Sequence, residues 1–520
     1  MKLSDHSLKQ LDEAYLKRLE ESSLRALSVT LLADLKEARE RLNQSSQNTS
    51  RPPSRDAPWE KSDRRKNKPA PKEEVSAGAP AEVAPGEAEQ TQAPAEGKTD
   101  EAAAGSTVVV QRRAGKVPGA PGHGRAAPDR VDVTEIHAPG CCAGCGRSLA
   151  EGIHQDHNAH YEVDFVRAAA GWAVVHRKHV WREAGCACGH VTRAEPERRV
   201  EEGVMVGGFR LIGPGLAALV VALALRYRLS RARIKDFLEE WLGVSISVGC
   251  LHEAIEEAGI LLAPVEDQLV AAIQQSGVLY ADETPWPEQH ARKLSLWLWV
   301  FTAAKVTLYY VSHRGQELVK NLLDDYAGVL MSDGWQSYRV YKKRLRCWAH
   351  LKRKAVGLTE SFDAEARAFG HAALDLWRLL RDAVRQARIE PKPPPLRAMF
   401  DEPLRLFRAQ CEAAQDSSHE KTRALAREFL LDWAAIFAVL DDPSLPLTNN
   451  AAERALRHWV ILRQLTHGSR TERGSRGFAL LASVIDTCRQ RGHSPWEFLT
   501  TSIARRRQNL ELLALPVEGG

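Results

Sequence analysis

The chain has 520 residues, a formal net charge of +5 and nine cysteines. This length allows several domains, and so few cysteines argue against a disulfide scaffold, which favours a reduced, cytoplasmic or nucleoid-associated protein. The N-terminus lacks the apolar core of a signal peptide, and the strongest apolar run, residues 216–225, is too short to cross a bilayer. We therefore expect a multidomain α+β protein with no membrane partner.

Residues 1–44 are predicted to form an amphipathic helix that precedes a disordered linker at residues 45–130. The apolar positions of this helix fall on or near the a/d spacing of a coiled coil: Leu24, Leu31, Leu35, Ala38 and Leu42. The heptads are too few to separate pairing between two chains from packing within one chain. The linker is dominated by Ala, Pro, Glu, Gly and Lys, and it ends in a basic, glycine-rich arm that either contacts phosphates or acts as a spacer.

Residues 131–198 are predicted to be a zinc-finger domain, because two close cysteine pairs flank a strand-like segment. The pairs are Cys142 with Cys145, and Cys186 with Cys188. Four thiolates on two such turns suit one structural Zn²⁺ with tetrahedral geometry. Cys141 and His190 remain alternatives for one ligand, since a single residue separates the second pair. Buried cysteines that bind no metal are the simpler interpretation.

Residues 199–275 are predicted to be helical, with a helix-turn-helix near their centre. An amphipathic helix at residues 229–243 ends at a glycine, and a second helix starts after Ser247, which suits an N-cap. Such a pair is typical of DNA-binding motifs and also of purely structural hairpins. On the DNA-binding interpretation, the contacting side chains are those of Arg231, Arg233 and Lys235.

Three acidic residues stand out by their position relative to predicted elements. Asp282 follows an apolar strand that should stop before Pro285, and Asp333 follows a second apolar strand. Glu453 lies in the first turn of a predicted helix, behind Asn449 as a candidate N-cap. Carboxylate oxygens are the hard ligands that Mg²⁺ prefers, and two such ions clamp the attacking and leaving oxygens of phosphoryl transfer. The pattern therefore predicts a two-metal site.

The order of elements in residues 276–490 predicts a ribonuclease-H-like mixed α/β catalytic core. Three strands with short connections are followed by a crossover helix and a fourth strand. This order would place the first and fourth strands side by side, so that Asp282 and Asp333 meet at adjacent strand ends. Residues 345–350 are predicted to be a fifth, short strand, and residues about 361–445 a helical insertion. A helical tail is predicted at residues 491–520.

Two basic runs flank these carboxylates and predict a polyanionic substrate. The first run lies between residues 331 and 360, and the second between residues 454 and 476. The candidate DNA contacts in these runs are Lys352, Arg353, Arg454 and Arg457. A solvated positive face remains the alternative for each run taken alone.

Several motifs together resemble the insertion sequence 66 family of bacterial transposases. They are the polar run at residues 43–54, the two cysteine pairs, Ala281-Asp-Glu-Thr, Ser332-Asp-Gly-Trp, Cys347-Trp-Ala-His and Asn449-Asn-Ala-Ala-Glu-Arg. The resemblance implies a DDE transposase in which Asp282, Asp333 and Glu453 hold two Mg²⁺. The chain departs from the family in its long, alanine-rich linker and in an alanine, where proline is common, after the first finger cysteine.

The resemblance also implies a reaction and a set of partners. The enzyme would cut the end of its element to leave a 3′-hydroxyl, and this hydroxyl would then attack target DNA. The implied partners are the terminal repeats, the target DNA, a second copy of the chain or a higher assembly, and small helper proteins from the same element. A metal-dependent nuclease without strand transfer and a DNA-binding regulator without catalysis are the alternatives.

Glu283 and Glu472 are the nearest rivals for a place in the triad.

Overall fold

The structure is a computed structural model that describes residues 11–42, 127–290, 295–392 and 394–517. Most of the predicted linker lies outside these residues. The described chain is a mixed α/β structure with a five-stranded sheet, a four-stranded sheet and a two-stranded hairpin. No helix within these ranges is both long and apolar enough to cross a membrane.

The described strands, in chain order, are β1 (Val133–His137), β2 (His154–Ala168), β3 (Gly171–Gly185), β4 (Val191–Arg193), β5 (Arg198–Glu201), β6 (Val204–Gly207), β7 (Val278–Pro285), β8 (Leu296–Thr302), β9 (Thr307–His313), β10 (Val329–Ser332) and β11 (Arg344–Arg346).

The described α-helices are α1 (Glu13–Leu16), α2 (Glu21–Leu42), α3 (Pro214–Val221), α4 (Arg231–Leu242), α5 (Val248–Ile260), α6 (Glu266–Gln274), α7 (Glu317–Leu323), α8 (Trp348–Thr359), α9 (Ala364–Ala387), α10 (Leu396–Met399), α11 (Asp401–Ala414), α12 (Glu420–Leu431), α13 (Trp433–Phe437), α14 (Asn450–Thr466), α15 (Glu472–Gln490) and α16 (Pro495–Arg507).

The predicted N-terminal helix is confirmed over α2. Leu24 and Leu35 are exposed on it, and Leu31 is partly buried. The side chains of Ala38 and Leu42 lie outside the described set.

The four-stranded sheet has the order β1-β3-β2, with β4 on β3. The buried carboxylate of Asp164 on β2 accepts a 2.9 Å hydrogen bond from the backbone N–H of Leu216 in α3. At Gly215 an added Cβ would lie 2.1 Å from the carbonyl oxygen of Phe165, so only glycine allows this close approach. The sheet is thereby fastened to the helices that follow it.

A β-hairpin occupies the start of the range that the sequence assigns to helices. β5 and β6 pair through a turn in which Glu202 and Gly203 both have positive φ, 45° and 78°. Val204 and Val206 are buried with an exposed residue between them, which is the period of a strand. The helical prediction is therefore wrong for residues 199–207.

The two predicted central helices are confirmed as α4 and α5. Ser230 caps α4 by accepting from the backbone N–H of Arg233, and α4 ends at Gly243 in a left-handed conformation. Ser247 caps α5 by accepting from the backbone N–H of Cys250. Serine hydroxyls at N-caps and a glycine at the C-terminus are the usual signals for such ends.

The five-stranded sheet has the order β11-β10-β7-β8-β9. β7 and β10 are parallel neighbours, with Val278 opposite Val329 and Tyr280 opposite Met331, so the predicted adjacency of the first and fourth strands is confirmed. The predicted end of β7 is wrong: the strand continues through Asp282 to Pro285, because β8 still pairs with it there.

The predicted strand at residues 345–350 is also wrong beyond residue 346. β11 is only three residues long, and Cys347 begins the helix α8. Trp348, Leu351, Ala355 and Leu358 are all buried, and their spacing of three and four is helical. This spacing in the sequence therefore indicates a helix rather than a strand, and its apolar face packs on the insertion.

Residues about 361–445, the range of the predicted insertion, are helical as expected and have an apolar core of their own. The helices α9 to α13 and the inner face of α8 contribute to it. The last part of this range is not one continuous helix, because α12 ends at Leu431, α13 runs from residue 433 to 437, and a 3₁₀ turn follows at Ala438–Leu440.

The helix α15 covers the edge of the five-stranded sheet that is formed by β9. The hydroxyl of Ser483 accepts from the backbone N–H of Tyr309 on β9 at 2.9 Å, and Thr487 does the same for Thr307 at 3.0 Å. These bonds satisfy donors that an edge strand otherwise leaves open to pairing with another chain.

Candidate active site

The three predicted carboxylates come from three elements of the core. Asp282 lies on β7, just beyond the residues that pair with β10, and Asp333 directly follows β10. Glu453 lies in the first turn of α14. Each of these side chains belongs to a partly buried residue. The parallel pairing of β7 with β10 brings the two aspartates to the same edge of the sheet.

The charges of the neighbouring carboxylates act on Asp282. Burial raises the pKa of Asp282, and the charges of Glu283, Asp333 and Glu453 act in the same direction, so that this pKa is about 7. Among the described residues, the triad is not one of the groups whose ligand atoms all lie within 4.8 Å of each other. A two-metal site does not require this, because each ion contacts only part of the set.

Asn449 positions the helix that carries Glu453. It occupies the N-cap position of α14, but the predicted side-chain cap is wrong: its amide Nδ2 instead donates to the carbonyl oxygen of Ala281 at 2.8 Å. Its backbone N–H contacts the sulfur of Cys347 at 3.2 Å. The helix start is therefore attached to β7 next to Asp282 and to the beginning of α8.

His350 on α8 is a neighbour of the triad for which no role was predicted from the sequence. Its Nε2 lies 3.9 Å from Oε1 of Glu453. Burial lowers the pKa of His350, although the charges of Asp333 and Glu453 act in the opposite direction, so the ring is neutral near pH 7. The sequence signal that could have indicated His350 is the helical spacing of the apolar residues of α8, which places this histidine on a helix.

A cavity of about 420 Å³ opens beside Asp333. The basic side chains that line it are Arg339, Arg346, His350 and Lys354. The carboxylates of Asp333 and Glu428 also line it. Lys354 donates to Glu428 at 2.6 Å, and burial lowers the pKa of the lysine. The cavity therefore places basic side chains, which are paired with carboxylates of the insertion, beside one triad member.

Arg346 fixes the insertion to the sheet behind this cavity. Its side chain is 1% exposed, its Nε donates to Asp432 of the insertion at 3.1 Å, and it also contacts Glu428. Arg344 of the same strand forms a second ion pair with Asp432. Buried charges of this kind hold their partners strongly, since either partner alone would be left uncompensated.

The rival Glu283 is held by other groups. It points away from Asp282 along β7, is 9% exposed, and accepts from Nε of Arg314 at 2.9 Å and from the hydroxyl of Tyr338 at 2.5 Å. The guanidinium of Arg314 lies 3.6 Å from the ring centre of Trp335. The second rival, Glu472, is exposed in the first turn of α15.

The predicted DNA contacts lie on three helices. Lys352 and Arg353 are exposed on α8, and Arg454 and Arg457 are exposed on α14, next to His350 and Glu453 in sequence. The third group lies on α4 and consists of Arg231 and Arg233, which are exposed, and Lys235, which pairs with Glu239 at 3.1 Å. Of these helices, α8 also carries His350 and α14 also carries Glu453.

The four predicted cysteines form one cluster that can hold a metal ion. Their sulfurs all lie within 4.8 Å of one another, with 3.6 Å between Cys142 and Cys188 and between Cys145 and Cys186. Desolvation raises the pKa of the Cys142 thiol. Hydrogen bonds from the backbone N–H groups of Cys145 and Gly144 outweigh this effect and lower the pKa to about 6. The alternative ligands, Cys141 and His190, are not members of this cluster.

Comparison with known proteins defines the class and then the family. Residues 210–477, more than half of the chain, match a family model of transposases, described as the Transposase IS66 family. The chain belongs to the IS66 transposase family. Residues 4–83 match a further family, described as of unknown function (DUF6444).

Curated relatives come from Sinorhizobium fredii (strain NBRC 101917 / NGR234). The uncharacterized protein y4qI is 26% identical over 296 residues, which cover 51% of this chain and 54% of the relative. The uncharacterized protein y4hP is 27% identical over 338 residues, which cover 56% and 59%, respectively. The chain thus spans little more than half the length of these relatives.

Proposed function

We propose that this protein is the DDE transposase of a bacterial insertion sequence, with Asp282, Asp333 and Glu453 holding two catalytic Mg²⁺. The observation that carries the proposal is the arrangement of the three carboxylates: Asp282 and Asp333 lie at one edge of the sheet because β7 and β10 are parallel neighbours, and Asn449 bonds the start of the Glu453 helix to Ala281. Carboxylates this close repel each other, and a divalent cation offsets that repulsion. The donors are all hard oxygens, which fits Mg²⁺.

The fold supports the same proposal. A mixed sheet in which the first strand lies between the second and the fourth, with the third strand at the edge, is the arrangement expected of a ribonuclease-H-like core. The proposed domain layout follows the sequence with one change: finger at residues 131–198, a β-hairpin that ends at residue 207, a helical region to residue 275, and a core to residue 490 with the insertion inside it. The finger, with one structural Zn²⁺, serves to hold DNA or a partner.

The side chains around the triad have separate roles. When bound, Mg²⁺ would activate the attacking oxygen and stabilise the leaving oxygen. Neutral His350, with Nε2 3.9 Å from Oε1 of Glu453, adds no positive charge that would compete with the metal for that carboxylate. Arg339 and Lys354 line the cavity beside Asp333 and attract a phosphate of the DNA backbone.

The exposed cations of α8 and α14 extend this attraction over a larger surface. Lys352, Arg353, Arg454 and Arg457 would contact the DNA that leads into the site, and Arg231, Arg233 and Lys235 of α4 would contact a more distant segment. The proposed partners are the terminal repeats, the target DNA and a second copy of the chain, with small helper proteins from the same element.

A supercoiled plasmid that carries the element ends tests the function. The full chain with Mg²⁺ should give joined products, in which a cut end is covalently attached to target DNA. Nicked or linear products without joining would identify a nuclease, and retarded plasmid without cleavage would identify a regulator. Either of these results would overturn the proposal.

A further inference from the structure

Three side chains outside the cysteine cluster share one face of the four-stranded sheet. Glu135 on β1 lies opposite His179 on β3, and His179 lies opposite His160 on β2. His137 on β1 follows Glu135 by two residues, so its side chain points to the same face. The sheet register thus places two imidazoles and a carboxylate side by side, with a third imidazole as their neighbour.

The ligand atoms of Glu135, His137 and His179 converge. Nε2 of His137 lies 3.0 Å from Nδ1 of His179, which in turn lies 3.5 Å from Oε2 of Glu135, and all three atoms lie within 4.8 Å of one another. Nitrogen and oxygen ligands at 2.0–2.1 Å from a tetrahedral ion are about 3.3 Å apart. The observed spacing matches that separation.

The surroundings hold these imidazoles in place. Nδ1 of His160 accepts from the indole N–H of Trp181 at 3.0 Å, and the ring stacks 4.7 Å from His179. Trp181 stacks 4.0 Å from His137. His160 and Trp181 therefore form a wall rather than additional ligands.

We propose that Glu135, His137 and His179 form a second Zn²⁺ site, separate from the four-cysteine cluster, with the fourth position left to water. Imidazole and carboxylate ligands suit Zn²⁺ among first-row metals. Glu135 is 43% exposed, which gives the ion a path from solvent. The bound ion joins β1 to its parallel neighbour β3. This site is independent of the proposed DNA chemistry.

Zinc titration of the purified full chain tests the proposal, with metal content and binding isotherms as the readouts. The wild-type chain should bind two Zn²⁺, the His137→Gln/His179→Gln variant one, and the Cys142→Ser/Cys186→Ser variant one. His176→Gln is the matched control, since His176 lies on β3 but on the opposite face, and it should bind two. Equal zinc content in wild type and the double-histidine variant would show that the trio is only a hydrogen-bonded cluster.

A milder variant and a spectroscopic probe guard against loss of the fold. Glu135→Gln removes one charge at a partly exposed position, and it should raise the Kd of the second site about tenfold or more while the circular dichroism stays unchanged. An unchanged Kd would overturn the assignment. Co²⁺ bound to the double-cysteine variant should lack thiolate charge-transfer absorption, whereas such absorption would show that residual thiolates bind the ion.

Discussion

The side-chain amide of Asn449 donates a hydrogen bond of 2.8 Å to the carbonyl oxygen of Ala281, and Asn449 is fully buried. This bond joins the first residue before α14 to the residue before Asp282. It therefore fixes the distance between the strand of one candidate metal ligand and the helix of another, Glu453. The link crosses 168 positions of sequence.

Asn449→Ala should weaken both the fold and the site. The substitution leaves the Ala281 carbonyl buried without this donor, which costs roughly 1–3 kcal/mol of unfolding free energy. Cleavage should fall further than stability alone explains, because Glu453 loses its attachment to β7. Thermal melts and plasmid cleavage measure the two effects. Asn450→Ala, at the exposed neighbouring position, is the matched control and should change neither.

Asp282→Asn, Asp333→Asn and Glu453→Gln should each abolish cleavage and leave DNA binding largely intact. Neutral amides provide too little charge to hold Mg²⁺. Cleavage is read on the plasmid substrate and binding by gel shift. Glu472→Gln, at an exposed position on α15, should cleave normally. Near-normal activity in any of the three variants would remove that residue from the triad.

The stability of the protein without added Mg²⁺ should depend on the ionisation of Asp282. Burial and neighbouring carboxylates raise the pKa of Asp282 from 3.8 to about 7. The folded state therefore keeps a proton that the unfolded state releases, so the contribution of this group is full below about pH 4 and is lost as the pH rises through about 7.

Thermal melts of Asp282→Asn and wild type across this range measure the effect. The variant should melt at a higher temperature than wild type at about pH 8, and the difference should shrink towards about pH 4. Added Mg²⁺ should raise the melting temperature of wild type near pH 8 more than that of the variant. A difference that is constant over pH would show that Asp282 ionises normally.

The four-cysteine cluster should hold one structural Zn²⁺. Cys142→Ser/Cys186→Ser removes one sulfur from each close pair and should abolish binding at this cluster, because a structural zinc needs all four ligands. Metal analysis after purification is the measurement. Cys141→Ser is the control, since Cys141 lies outside the cluster, and its zinc content should equal that of wild type.

The sequence predicted best those features that local chemistry determines. Ser230, Ser247 and Gly243 mark helix ends through their own side chains or backbone, and the structure has those ends. The close pairing of Cys142 with Cys145 likewise indicated the cysteine cluster. The adjacency of β7 and β10 followed from the order of elements, which restricts the possible sheets.

The errors arose where tertiary contacts decide the local structure. β7 extends past Asp282 because β8, a separate segment, continues to pair with it. The side chain of Asn449 turns to Ala281 rather than to its own helix, and no local pattern distinguishes those two partners. The proposed metal trio on β1 and β3 was not predicted, because 42 positions separate His137 from His179 and the two strands meet only through sheet register.

The last prediction concerns assembly of two chains on paired element ends. Leu24 and Leu35 are exposed on α2 and share the apolar stripe of the predicted coiled coil. A helix of 22 residues holds about three heptads, which give only a marginal coiled coil in isolation. DNA that binds two chains would raise their effective concentration and complete the pairing.

Deletion of residues 1–44 should therefore preserve binding to a single element end and weaken complexes that contain two ends. Leu24→Ala/Leu35→Ala should have the same effect with the chain length unchanged. Val29→Ala, which alters an exposed residue off the stripe, is the control. Gel shifts with one and two ends, together with light scattering, measure both states. Unchanged paired-end complexes in the truncated chain would show that the stripe packs within its own chain.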